Sequence, residues 1–174
     1  NESQILKKKF PKHKKKILFT GNPRLSIWRS EIKFKFDEEF KFIKNFVKNK
    51  QYILISSNFG YPHFKGSKFI TKFSKKQGVF KTKKNSINQL KENKFNKFIS
   101  KKFEILTKFL AEKTKHEIIF RPHPSESIVE WKKKFKNYKN VKVIFKYDAS
   151  SWILKFKYFI QNGCLTGLEA FLRN

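Results

Sequence analysis

Short apolar runs separated by stretches of helical period restrict this chain's possible folds more than any other feature. Tyr52-Ile53-Leu54-Ile55-Ser56-Ser57 has the length and side chains of a buried strand, and Glu117-Ile118-Ile119-Phe120-Arg121, Val141-Lys142-Val143-Ile144-Phe145 and Tyr158-Phe159-Ile160 read as further strands. Between the first two, Phe95, Phe98, Ile99, Phe103, Leu106, Phe109 and Leu110 recur at helical spacing from Ser86 to Lys113. They are expected to form one apolar face with lysines opposite. Phe42, Ile43, Phe46 and Val47 predict a helix over residues 38–48. Ser127, with Glu130 three residues on, marks another helix start, and Trp131 and Phe135 supply its buried side. Residues 151–155 read as a helical turn, and Gly163 and Gly167 lead into a terminal helix. Strands that alternate with helices imply right-handed crossovers and a parallel sheet covered on both faces. The expected fold is therefore α/β, a Rossmann-like doubly wound parallel sheet.

Composition sets the limits of that domain. The 174 residues are 39% hydrophobic, enough for one core, and 22 phenylalanines make it a core of rings. A formal charge of +29 attracts polyanions, but only Arg24, Arg29, Arg121 and Arg173 are arginines. A dedicated nucleic-acid reader draws more on bidentate guanidinium contacts. Nucleic acid is thus expected to bind only nonspecifically, and an anionic membrane surface to be a peripheral contact. Cys164 is the lone cysteine, which excludes an internal disulfide, and the scattered histidines and carboxylates offer no metal site. No apolar run is long enough to cross a bilayer, so a cytoplasmic protein, peripheral at most to the inner membrane, is expected.

Residues 1–37 read as a lysine-rich solvated lead-in, an orphan strand Ile17-Leu18-Phe19-Thr20 ended by Gly21-Asn22-Pro23, and a connector. Residues 38–174 read as the α/β domain. The first residue is Asn1 rather than Met, so an upstream part is expected to be missing or removed.

In an open parallel sheet, ligands bind beyond the carboxyl ends of the strands. Three segments there carry candidate chemistry. After the first strand, Asn58 begins a loop through Gly60 and His63 of suitable size, for which a structural role is an equal alternative. Arg121-Pro122-His123-Pro124-Ser125-Glu126 puts a cation and an imidazole before a helix N-terminus, where an anion such as a phosphate is favoured. The plain alternative is a proline-stiffened turn in which His123 meets a carbonyl. In Asn162-Gly163-Cys164-Leu165-Thr166-Gly167-Leu168-Glu169, the glycines permit close backbone approach and Glu169 is a potential acceptor for sugar or ribose hydroxyls. Thr166 and Glu169 also have capping-box spacing, which leaves a purely structural reading open.

With these segments in hand, the chain resembles the bacterial surface carbohydrate biosynthesis proteins, which are similar to GT-B glycosyltransferases and to UDP-N-acetylglucosamine 2-epimerases. The likeness is carried by Thr20-Gly21-Asn22-Pro23-Arg24, by Ile53 to Gly60, by Arg121-Pro122-His123-Pro124-Ser125-Glu126, and by Asn162-Gly163-Cys164 with Thr166-Gly167 and Glu169-Ala170. The resemblance implies the C-terminal half of a two-domain fold, incomplete at its end, that binds a nucleotide-activated sugar as substrate without a separate cofactor. On that basis Asn58, Arg121, His123, Ser125, Gly163, Thr166, Gly167 and Glu169 are the candidate binding residues, with His123 near phosphates and Glu169 near the ribose or sugar. It further implies a carbohydrate or lipid-linked acceptor in capsule or lipopolysaccharide assembly. Gln161 stands where the family usually has His, which removes a proton donor. With the acceptor half absent, the chain alone is expected not to turn over substrate. A sugar-nucleotide 2-epimerase-like enzyme, or a basic module for RNA or anionic lipid, are the alternative readings.

Overall fold

A computed structural model describes residues 2–16, 18, 36–48, 50–60, 72, 74–78, 83–153 and 155–173. The chain divides into two compact units, Asn1–Phe34 and Lys35–Asn174. In the first, the lysine-rich stretch expected as a solvated lead-in is helical, with α1 at Glu2–Lys9 and a 3-10 turn at Pro11–Lys16. Ile5, Leu6 and Phe10 on it are exposed, as a solvated segment requires. The orphan strand and most of the connector lie outside the described residues.

The second unit contains α2 (Asp37–Phe46), β1 (Tyr52–Ser56), α3 (Lys83–Lys113), β2 (Glu117–Arg121), α4 (Ile128–Phe135), β3 (Val141–Val143), α5 (Ala149–Ile153), β4 (Phe156–Gln161) and α6 (Thr166–Leu172). All strand pairs are parallel and the order is β3-β2-β1-β4. The fold is the expected Rossmann-like α/β arrangement. Strands grow outward from β1 to β3, and the chain then returns to the other side of β1 to add β4. The gap between β1 and β4 is therefore a topological switch point.

Central placement explains the composition of β1, whose five residues are all buried. Ile53 and Ile55 face a cluster with Ile118, Phe120, Val141, Trp131 and Phe135, against which Ile99, Phe103 and Leu110 of α3 also pack. Trp131 lies 4.4 Å from Phe120 and 5.6 Å from Phe135 between ring centroids, and each such pair adds about 0.5–1.5 kcal/mol beyond its buried area. On the other face Tyr52 meets Trp152 of α5 edge to face, and its hydroxyl donates to the Trp152 carbonyl. Burial pushes the Tyr52 phenol above its usual range, against smaller opposing effects from Arg173 and a backbone hydrogen bond at Lys155. Phe42 and Phe46 of α2 pack on the same indole. Helices α3 and α4 thus cover one face, and α2 and α5 the other.

Two expectations need correction. The apolar residues of α3 do not form one face. Phe95, Phe98 and Phe109 are exposed, while Ile99, Phe103 and Leu110 turn inward with Ser100 and Thr107. At about 100° per residue the seven positions spread over about 140° of the helix circumference, and only part of that arc meets the core. Strand β4 also begins earlier than its apolar core suggested, at Phe156. Its register slips after Tyr52, which pairs with Phe156, because Ile53 pairs with Tyr158. The slip leaves Lys157 as the extra residue and sets Ile160 on the α3 side, with Gln161 turned the other way.

Candidate functional site at the carboxyl edge

The loop that follows β1 is held from both sides. Toward β2, Ser57 N–H donates to the Arg121 carbonyl at 3.1 Å, and the buried Glu126 carboxylate receives three donors. Phe59 N–H donates to Oε1 at 2.7 Å, whereas Ser57 Oγ at 2.7 Å and Trp131 Nε1 at 2.8 Å donate to Oε2. Toward β4, the Asn162 amide bonds reciprocally across the switch point. Asn58 N–H donates to Asn162 Oδ1 at 2.8 Å, and Asn162 Nδ2 donates to the Asn58 carbonyl at 3.1 Å. Charge-assisted bonds of the Glu126 kind are about twice as strong as neutral ones, so the β1 loop is fixed chiefly from the β2 side.

His123 sits in the turn between β2 and α4, closed by Glu126 N–H donating to the His123 carbonyl at 2.8 Å. Its Nδ1 lies 2.7 Å from Ser125 Oγ and receives the Ser125 backbone N–H at 3.2 Å. A backbone N–H can only donate, so Nδ1 is the acceptor and the ring hydrogen belongs on Nε2. That hydrogen suits a phosphate oxygen. Ser127 caps α4, with its Oγ accepting from Glu130 N–H at 3.3 Å, as its spacing predicts.

The other candidates are engaged internally. Arg121 is buried and donates from Nη1 to the Lys146 carbonyl at 3.1 Å and from Nη2 to the Tyr147 carbonyl. It thereby pins the β3–α5 loop, where Tyr147 holds a left-handed φ of 61°. Glu169 is fully buried, and Ser150 Oγ on α5 donates to its Oε2 at 2.5 Å. Thr166 is the first residue of α6 rather than its cap, and its buried hydroxyl has no hydrogen-bond partner among the described residues. The capping-box reading of Thr166 and Glu169 is thus not realised, because Leu165 occupies the cap position without a side-chain bond.

The two glycines differ in what holds them. Gly163 holds φ at +65°, although a Cβ there would meet nothing within 4 Å. At Gly167 a Cβ would lie 2.8 Å from Gln161 Nε2, the end of a flexible side chain that would have to move aside. The same Gln161 accepts Cys164 N–H on Oε1 at 2.8 Å, so its amide shapes the turn into α6.

The structure therefore brings Asn58, His123, Ser125 and Gly163 to loops at the carboxyl edge, and turns Arg121 and Glu169 into the protein. Glu126 and Asn162, which were not singled out individually, are the residues that join the loops. Their signal in the sequence was only membership of the quoted segments. Among the described residues no cluster of metal-ligating side chains exists, and no helix is long and apolar enough to cross a membrane. Comparison with protein-family models, with curated proteins and with solved structures finds no match to this chain.

Proposed function

We propose that this chain binds a nucleotide-activated sugar at the carboxyl edge of β1, β2 and β4, as a glycosyltransferase-like protein of bacterial surface polysaccharide assembly. In this reading the second reactant is a carbohydrate or lipid-linked acceptor. The observation that carries the proposal is the double tether of the β1 loop, to Glu126 on one side and Asn162 on the other, across the switch point. Three of the four segments that resemble the surface carbohydrate proteins are bonded to one another there. Open parallel sheets take their ligands at such a point.

Within the reading, His123 Nε2–H donates to a phosphate oxygen, and Ser125 holds the ring in that tautomer. The turn at Gly163 borders the other side of the ligand, and Asn162 fixes the distance between the two rims. Arg121 and Glu169 do not touch the ligand and instead brace the β3–α5 loop and α5. Isothermal titration with uridine- and guanosine-diphosphate sugars tests the proposal. His123→Ala is expected to weaken binding by about tenfold or more, the worth of one charge-assisted hydrogen bond. Asn162→Ala is expected to weaken it by loosening the rims, with the far-ultraviolet spectrum unchanged. Absence of binding to every nucleotide sugar, or equal affinity in wild type and both variants, would refute the reading.

A further inference from the structure

Helix α3 carries a second apolar stripe that the fold does not use. Phe95, Phe98, Ile105 and Phe109 are 61%, 57%, 52% and 54% exposed. Their spacing of three, seven and four residues puts them in one row along about 20 Å of the helix, facing away from the sheet. The inward row of Ile99, Phe103 and Leu110 already anchors the helix, so packing among the described residues does not explain the outer rings. Lysines share the outer side. Lys91 and Lys102 lie in the row itself, Lys94 and Lys101 border it, and all four are exposed. Lys102 Nζ sits 5.2 Å from the Phe98 ring centroid. Over its length α3 has nine lysines against three glutamates.

We propose that this face of α3 is a docking surface for an anionic lipid bilayer, with the phenylalanines entering the acyl boundary and the lysines meeting headgroup phosphates. Three observations select that occupant. A second copy is disfavoured because pairing the stripes would bury Lys91 and Lys102 against themselves between chains of formal charge +29 each. A peptide is disfavoured because the stripe lies on the exposed side of a single helix, whereas peptides that bind through apolar anchors occupy grooves. Nucleic acid is disfavoured because single-strand binders line a charged groove with their stacking rings. A deformable apolar medium with a negative surface suits a ridge of rings beside lysines. The inference is independent of the nucleotide-sugar reading, because none of its residues belongs to the carboxyl edge.

Co-sedimentation of the full chain with vesicles of equimolar phosphatidylcholine and phosphatidylglycerol, at about 0.15 M ionic strength, provides the test. Binding is expected there and not to phosphatidylcholine alone. The combined variant Phe95→Ser, Phe98→Ser, Phe109→Ser is expected to lose on the order of 100-fold in vesicle affinity, since each half-exposed ring contributes roughly fivefold. It should retain its affinity for a single-stranded oligonucleotide. Undiminished vesicle binding by that variant overturns the proposal, because scattered lysines would then suffice. An equal loss of oligonucleotide binding assigns the stripe to nucleic acid instead, and a wild-type dimer dispersed by the variant assigns it to a second copy. Phe98→Trp, read by quenching from brominated acyl chains, gives a measurement that does not depend on the triple variant folding. Extra quenching relative to wild type supports insertion, and none overturns it.

Discussion

Replacing Glu126 by glutamine keeps the side chain's volume and removes an acceptor that the β1 loop needs. The carboxylate presents Oε1 to Phe59 N–H and Oε2 to both Ser57 Oγ and Trp131 Nε1. A glutamine has one oxygen and one amino group. If the oxygen takes the Oε2 position, the amino group faces Phe59 N–H and cannot accept from it. If the amide is flipped, the Ser57 hydroxyl can rotate to accept, but the Trp131 indole N–H loses its partner. Either orientation takes this acceptor from one buried donor, at about 1–3 kcal/mol, and converts the remaining bonds from charge-assisted to neutral. Glu126→Gln is therefore expected to destabilise the domain by about 2–3 kcal/mol, a large share of the 5–15 kcal/mol typical of a domain. Urea unfolding followed by tryptophan emission measures the loss, since Trp131 reports on the site directly. Hydrogen exchange at the Phe59 amide localises it, with protection expected to fall by more than at the β2 amides. A variant within about 0.5 kcal/mol of wild type, with Phe59 protection intact, would show that the carboxylate does not hold this loop.

Gly167→Ala sets helix propensity against crowding. The new methyl adds up to about 1 kcal/mol of helix preference but meets Gln161 Nε2 at 2.8 Å, displacing the amide that accepts Cys164 N–H. The substitution is expected to be neutral or destabilising in wild type and stabilising in a Gln161→Ala background, and equal effects in both backgrounds of a denaturation cycle would remove the crowding argument. Glu104 of α3 bonds Lys108 on its own helix and Lys134 on α4, each at 2.7 Å. Burial raises its pKa, but the two lysines outweigh burial and hold it below the ordinary glutamate value. A depressed folded-state pKa gives stability that is complete above the unfolded value and fades as pH falls through the folded one. Glu104→Gln should thus cost no more than about 1 kcal/mol near neutral pH and nothing at the acid end, as read from thermal melts across that range. A cost unchanged in acid would contradict the pairing.

Much of the fold was legible in local pattern. A run such as Tyr52 to Ser56, apolar on both alternating sides, has to lie between two covered faces, which is where β1 lies. Ser127 announced the start of α4 because a cap acts within one turn and so depends only on neighbouring residues. The α3 stripe was less legible. Its inward and outward rows lie so close in sequence that periodicity merged them, and only the contact with β1 and β2 separated them.

The sequence by itself determined that strands and helices alternate and that turns follow the strands. It also set the charge that any partner meets. Tertiary structure decided which loops share an edge and which polar side chains they use. Asn58 and Asn162 are 104 residues apart, and Phe59 and Glu126 are 67 apart, so no local spacing couples them. Arg121 and Glu169 looked equally fit for a ligand, but each found its partner inside the protein, in the Lys146 and Tyr147 carbonyls and in Ser150. The physical reason is that a helix or strand period fixes the direction of a side chain within its own element. The partner that satisfies a buried polar group is instead set by the order in which strands join the sheet.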